Sequence, residues 1–348
     1  MEYLQSTLTW LTSSDNSTTS PAVEYTPLSL PGSQYVDETP LYSYDYLHEF
    51  SIYCLHIAFD KFILSGSYEL IQIHHIDTSS ITATTSTSTI SDITSSLFLP
   101  NDTLIRTISG DFDWVYSLAM IYGVTPLIAS AHRDCYIRLW DYFDTDLEYP
   151  KIILSGHSHA VSSLYVLQGV HPLLISGSFD TTISIWDITS KRRLHILKQS
   201  KRPIRTLSYL DSSTSTSHTD ESPSSSSSQQ SQQQQPQPQQ QHHSYLCCGD
   251  DSGTIFIWYR SWILYRKIPY PEISLTQSPS PIKSLTTSYW NGTPRVFAGY
   301  DDGFIRAYEI TTGQVLLSYQ GHEQAVRSMV LVEVTHSSLP LLSSPHFF

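Results

Sequence analysis

Gly156-His157-Ser158-His159-Ala160-Val161-Ser162-Ser163-Leu164-Tyr165-Val166, continued by Pro172-Leu173-Leu174-Ile175-Ser176-Gly177-Ser178-Phe179-Asp180-Thr181-Thr182-Ile183-Ser184-Ile185-Trp186-Asp187, holds two apolar runs at strand spacing. A tight turn at Phe179-Asp180-Thr181 and a third alternating strand ending in Trp186-Asp187 complete it. The turn residue Asp180 stands six positions before Trp186, and that step returns along the chain. It separates Asp134 from Trp140, Ser252 from Trp258 in degraded form, and Asp302 from Tyr308. Ser65–Ile76 is a weaker copy, one residue short and without the tryptophan. Self-similarity at this scale marks a repeat architecture.

The Gly-His opening and Trp-Asp close, with the repeated step, resemble the WD-repeat (WD40) family over roughly residues 50 to 332. The resemblance implies an all-β propeller of five recognisable blades and the start of a sixth. The expected blades are 49–109, 110–155, 156–200, 201–278 and 279–320, with a partial one at 321–348. Only half of the last is present, and a propeller must close to protect its strand edges. Either the N-terminal segment completes it or the chain stops short at its C-terminus, the second being the favoured expectation.

The resemblance also implies a structural tetrad of hydrogen-bonded side chains, which only the third blade carries in full: His157, Ser176, Asp180 and Trp186. The second blade keeps Ser130 and Trp140, but Gly110-Asp111 replaces Gly-His, and the later blades lack more. Those blades are expected to be less stable, and none of the tetrad residues to be catalytic.

Short Val/Ile/Leu/Tyr runs between Gly, Ser, Asp and Pro turns agree with an all-β class. Residues 1–48 read as an acidic flexible tail, while Ser/Thr-rich 78–100 and Ser/Gln-rich 211–244 read as low-complexity inserts. No apolar run nears the ~18 residues that cross a bilayer. The start of the chain has no basic-then-apolar signal pattern, so a cytoplasmic or nuclear site is expected. Cys54, Cys135, Cys247 and Cys248 fall within expected strands and read as reduced thiols. Sequons at Asn16, Asn101 and Asn291 read as chance matches in a Ser/Thr-rich chain.

Net charge is −13, and no Lys or Arg precedes Lys61, which argues against general affinity for nucleic-acid phosphates. His132-Arg133-Asp134 mimics a kinase catalytic triplet, but Leu139 stands where that signature needs Asn. No nucleophile elbow, phosphate loop or dinucleotide fingerprint occurs, and no His pair has matching ligands, so neither enzyme activity, cofactor nor metal is expected.

Propellers of this family bind through the narrow face around the channel. The resemblance assigns two slots per blade to that face: the residue after the apolar anchor of strand a, and the residue before the turn Asp. The first slot gives Tyr53, Tyr116, Ser162, Arg205, Lys283 and Arg327. The second gives Tyr68, Arg133, Phe179, Asp251 and Asp301, with Trp114 adjoining. Arg133, Arg205, Lys283 and Arg327, beside Trp114, Tyr116 and Tyr53, are therefore the expected partner-binding set. Two functions follow: a scaffold or substrate-recognition subunit of a larger complex that reads acidic or phosphorylated protein segments, or an RNA- or chromatin-associated propeller stacking bases on the same aromatics. An F-box, which would strengthen the ubiquitin-ligase analogy, is not visible.

Overall fold

The computed structural model describes residues 48, 50–59, 61–75, 104–110, 112–144, 149–212, 243–271, 278–290 and 292–331. The expected tail (except His48), the insert 78–100 and residues 332–348 lie outside them. The insert 211–244 is described only at residues 211, 212, 243 and 244.

Twenty strands among the described residues form five four-stranded antiparallel sheets, each in simple sequential order. The first holds β1 (Cys54–Ala58), β2 (Phe62–Gly66), β3 (Leu70–His75) and β4 (Leu104–Ser109). The second holds β5 (Val115–Ile121), β6 (Leu127–His132), β7 (Ile137–Asp141) and β8 (Ile152–Leu154). Next come β9 (Val161–Leu167), β10 (Leu173–Ser178), β11 (Ile183–Asp187) and β12 (Arg192–Leu197), then β13 (Ile204–Leu210), β14 (Tyr245–Asp250), β15 (Ile255–Tyr259) and β16 (Leu264–Ile268). The fifth holds β17 (Ile282–Trp290), β18 (Thr293–Tyr300), β19 (Phe304–Glu309) and β20 (Val315–Gln320). All five expected blades are present. Of the expected sixth, 321–348, only residues 321–331 are described, and these form no strand: 321–330 are irregular, with a single bridge at Leu331.

Burial explains the residue choice. The second strands β6 and β14 are buried at every position, so they carry Leu, Ile, Ala, Cys and Ser on both faces rather than alternating with charge. The fourth strands β12 and β20 are almost wholly exposed and carry Arg, His and Gln among their apolar residues. The described residues fall into two compact units, one within 1–196 and one within 197–331. In the first, Leu64, Ile73, Met120 and Trp140 pack between blades 1 and 2, and Leu139, Val161, Leu174 and Trp186 between blades 2 and 3. In the second, Cys247, Ile257, Val296 and Tyr308 pack between blades 4 and 5.

Neighbouring blades interlock at a glycine in the second strand. A Cβ on Gly66 would lie 2.7 Å from Val115, on Gly249 2.6 Å from Ile282, and on Gly299 2.7 Å from Val326. Each partner is the apolar anchor expected to open strand a of the next blade. Val326 thus takes the anchor position although no strand forms around it. All four cysteines are free. Cys135 departs from expectation: it sits in the β6–β7 turn with φ 75°, because that turn, like those at Thr181, Gly253 and Gly303, needs a left-handed residue after its third position.

Candidate functional site

The third blade builds its tetrad in full. His157 Nδ1 bonds the Asp180 carboxylate at 2.8 Å, and its Nε2 meets Ser176 Oγ at 2.8 Å. Trp186 Nε1 donates to the same Ser176 oxygen at 2.8 Å. Asp180 also accepts from Ser158 N, Thr182 N and Thr182 Oγ1. Burial by itself would raise Asp180, yet the bonds from His157 and Thr182 win and hold its carboxyl far below the usual range.

Strand register locates the same positions elsewhere, and each blade fills them differently. Ser176 opposes Ser184, as Ser65 opposes Gln72, Ser130 opposes Arg138, Cys248 opposes Phe256 and Ala298 opposes Arg306. In blade 1, His48 Nε2 meets Ser65 Oγ at 2.7 Å, repeating the His157–Ser176 bond, while His74 stands in the tryptophan position. In blade 2, the missing Gly-His imidazole is replaced from within β6: His132 Nε2 bonds Ser130 Oγ at 2.7 Å, and Trp140 Nε1 donates to that oxygen at 2.8 Å. The turn carboxylate Asp134 then pairs with Arg138 at 2.6 Å, whose guanidinium lies over the Phe112 ring.

Blade 4 moves its carboxylate two residues back. Asp250, 1% exposed, accepts from Ser200 Oγ, Ser252 N, Ser252 Oγ and Thr254 N, so Ser252 serves Asp250 rather than replacing the turn Asp. Cys248 occupies the serine position, and buried Trp258 Nε1 finds no acceptor. Cys248→Ser is expected to supply one and raise stability by about 1 kcal/mol in urea unfolding. In blade 5 Tyr300 and Tyr308 share a 2.6 Å hydroxyl bond, Tyr270 donates to Asp302, and fully buried Arg306 lies against the Tyr270, Tyr300 and Phe304 rings. Blades 2, 4 and 5 lack parts of the tetrad, as expected, and hold other buried networks in its place. Spacing held a signal for His48, which precedes Ser65 by about as many residues as His157 precedes Ser176. Nothing in the sequence marked His132, Arg138 or Asp250 as substitutes.

Both expected binding slots emerge at one end of their blade because a backbone bond ties them. The amide before the turn Asp donates to the carbonyl before the strand-a anchor: Arg133 to Trp114, Phe179 to Ala160, Asp251 to Pro203 and Asp301 to Pro281, all at 2.9–3.0 Å. In blades 4 and 5 this juxtaposition makes ion pairs. Arg205 grips Asp251 through two bonds of 2.6 and 2.9 Å, and Lys283 lies 3.2 Å from Asp301. Arg133 is 3.9 Å from Asp113. Arg327 is exposed in the irregular segment after Val326 rather than on a strand. Arg133, Arg205 and Lys283 thus face carboxylates, the last two those of Asp251 and Asp301 in the second slot.

The aromatic members do come together, across blades 1–3. Trp114 packs edge-on to Tyr53 at 4.8 Å and tilted to Tyr68 at 5.1 Å. Tyr53 reaches Tyr116 at 5.8 Å, and Tyr116 reaches Phe179 at 6.0 Å. Phe50, missed in the sequence, joins Tyr68 at 5.3 Å and is 51% exposed. A groove of about 870 Å³ is lined by Phe50, Tyr68, Phe112 and Trp114 together with Glu69, Asp113, Arg133 and Asp134. No cluster of three or more His, Cys, Asp or Glu fit to hold a metal ion occurs among the described residues.

Five four-stranded antiparallel sheets, each in sequential strand order, place the molecule in the β-propeller class. The protein carries WD40 repeats and has the WD40 propeller fold. The family model for the WD domain, G-beta repeat, matches residues 102–141 and 148–187. A solved structure, the WD40 beta propeller domain of Doa1, is similar with a TM-score of 0.53 and 16% identity, covering 81% of this chain and 73% of that one. No curated protein matches the chain.

Proposed function

We propose that this protein is a non-catalytic interaction scaffold, a subunit of a larger complex, that captures partner proteins on the aromatic end of blades 1–3. WD40 propellers serve generally as protein-binding platforms, and the observation that carries the reading to this end is the connected series Phe50, Tyr68, Trp114, Tyr53, Tyr116 and Phe179. Tyr and Trp rings that are half-exposed and held by one another provide rigid contact area at little entropic cost. Base stacking would use the same rings, but the net charge of −13 and the carboxylates at this end oppose a phosphate backbone.

A Tyr53→Ala/Trp114→Ala variant is expected to lose about tenfold or more of its co-purifying partner signal. Retention of partners by a folded double variant would overturn the reading.

Recognition of an acidic or phosphorylated segment is the second reading, favoured by one observation. Asp251 presents two oxygens to the Arg205 fork, the arrangement in which a phosphate would bind. A phosphate would have to displace Asp251, so Asp251→Asn should strengthen phosphopeptide binding if that reading holds.

A further inference from the structure

We propose that the groove between blades 1 and 2 accepts a cationic side chain, arginine or lysine, from an otherwise apolar segment of the partner protein. The proposal rests on the scaffold reading above and names the chemistry of its site, with a charge sense opposite to the basic mouth expected from the sequence. Trp114, Tyr68 and Phe50 offer ring surface to the groove, and a cation held over such faces gains from their quadrupoles. The charges around them favour a cation. Glu69, Asp113 and Asp134 line the groove against a single guanidinium, Arg133. Arg138, 11% exposed and bonded to Asp134 at 2.6 Å, neutralises that carboxylate from behind. Arg133 is 58% exposed and stands 3.9 Å from Asp113, a loose pair at the outer edge. One carboxylate, Glu69, is left in excess.

Glu69 occupies the β2–β3 turn with φ 52° and is exposed, and its carboxylate raises the pKa of the adjacent Tyr68. An incoming phosphate would meet the excess carboxylate of Glu69, whereas an incoming guanidinium would find that carboxylate and the Trp114 and Tyr68 rings together.

The test uses the full chain and a surface-immobilised array of apolar twelve-residue peptides, each made in arginine, citrulline and phosphoserine versions at one central position. The arginine series is expected to bind, with citrulline weakening binding about tenfold because shape is kept and charge removed. Glu69→Gln is expected to weaken the arginine series about fivefold and leave citrulline peptides unchanged. Arg133→Gln is expected to leave arginine peptides bound as well or better. Circular dichroism of each variant confirms folding, and Asp113→Asn serves as the second charge variant should Glu69→Gln not fold. Equal binding of arginine and citrulline peptides, or preference for phosphoserine lost in Arg133→Gln, would overturn the charge sense while leaving the scaffold reading intact. Binding of no peptide by wild type, with Tyr53→Ala/Trp114→Ala still retaining partners, would overturn both.

Discussion

Asp180→Ala is expected to lower the stability of the unit that contains it by about 3 kcal/mol. The carboxylate takes four hydrogen bonds, from His157 Nδ1, Ser158 N, Thr182 N and Thr182 Oγ1, and its side chain is 8% exposed. Removing it strands a buried imidazole that also bonds Ser176, the hydroxyl to which Trp186 Nε1 donates. Each such donor left dry costs about 1–3 kcal/mol, against ~1 for a bond lost with water admitted. Asp250→Ala should cost a similar amount, since Ser200, Ser252 and Thr254 all donate to that carboxylate. Ser252→Ala removes one hydroxyl donor and should cost about 1 kcal/mol. Urea unfolding followed by far-UV circular dichroism checks the order; a Ser252→Ala loss equal to that of Asp250→Ala would show that blade 4 is not organised around Asp250.

Acidification from pH 6.5 towards pH 4 is expected to destabilise blades 1 and 2 well before carboxylates titrate. His56 is pushed down to about 4 by burial, and His48 to about 4 by burial and the neighbouring His74. Burial also lowers His74, and burial followed by Arg138 lowers His132, which is fully buried. Unfolded histidines titrate near 6.5. Below that pH the unfolded chain binds protons that the folded chain refuses, so the stabilisation present above pH 6.5 is lost as pH falls towards the folded values. Each deeply buried imidazole costs up to ~1.4 kcal/mol per pH unit across that window. His132→Gln should lower stability at pH 7, since it disturbs the Ser130 bond, and should flatten the pH slope. A melting temperature unchanged between pH 6.5 and pH 4.5 in wild type would show that these histidines are not held neutral by the fold.

The sequence by itself determined the class of fold, the five blades and one whole tetrad. These depend on local periodicity: a strand buried on both faces must be apolar throughout, a tight turn needs its Asp, and the step from Asp180 to Trp186 spans one turn and one strand. The family resemblance placed the two expected slots at one end of a blade, and the backbone bond between them agrees with it. Only the tertiary structure decided what fills a position whose usual residue is absent. His132 bonds Ser130 and Ser252 bonds Asp250 two residues away, and Arg138 and Arg306 pair with Asp134 and Asp302 four residues away. These partners were close in the sequence, and the fold decided which of them turn to one another in the buried interior. The charge at the expected slots was settled by the fold. Arg205 and Asp251 are far apart in the chain, and a count of cations along strand-a slots sees only one of them. Packing puts guanidinium and carboxylate in hydrogen-bond contact, and at that distance each cancels the field that the other would offer a partner.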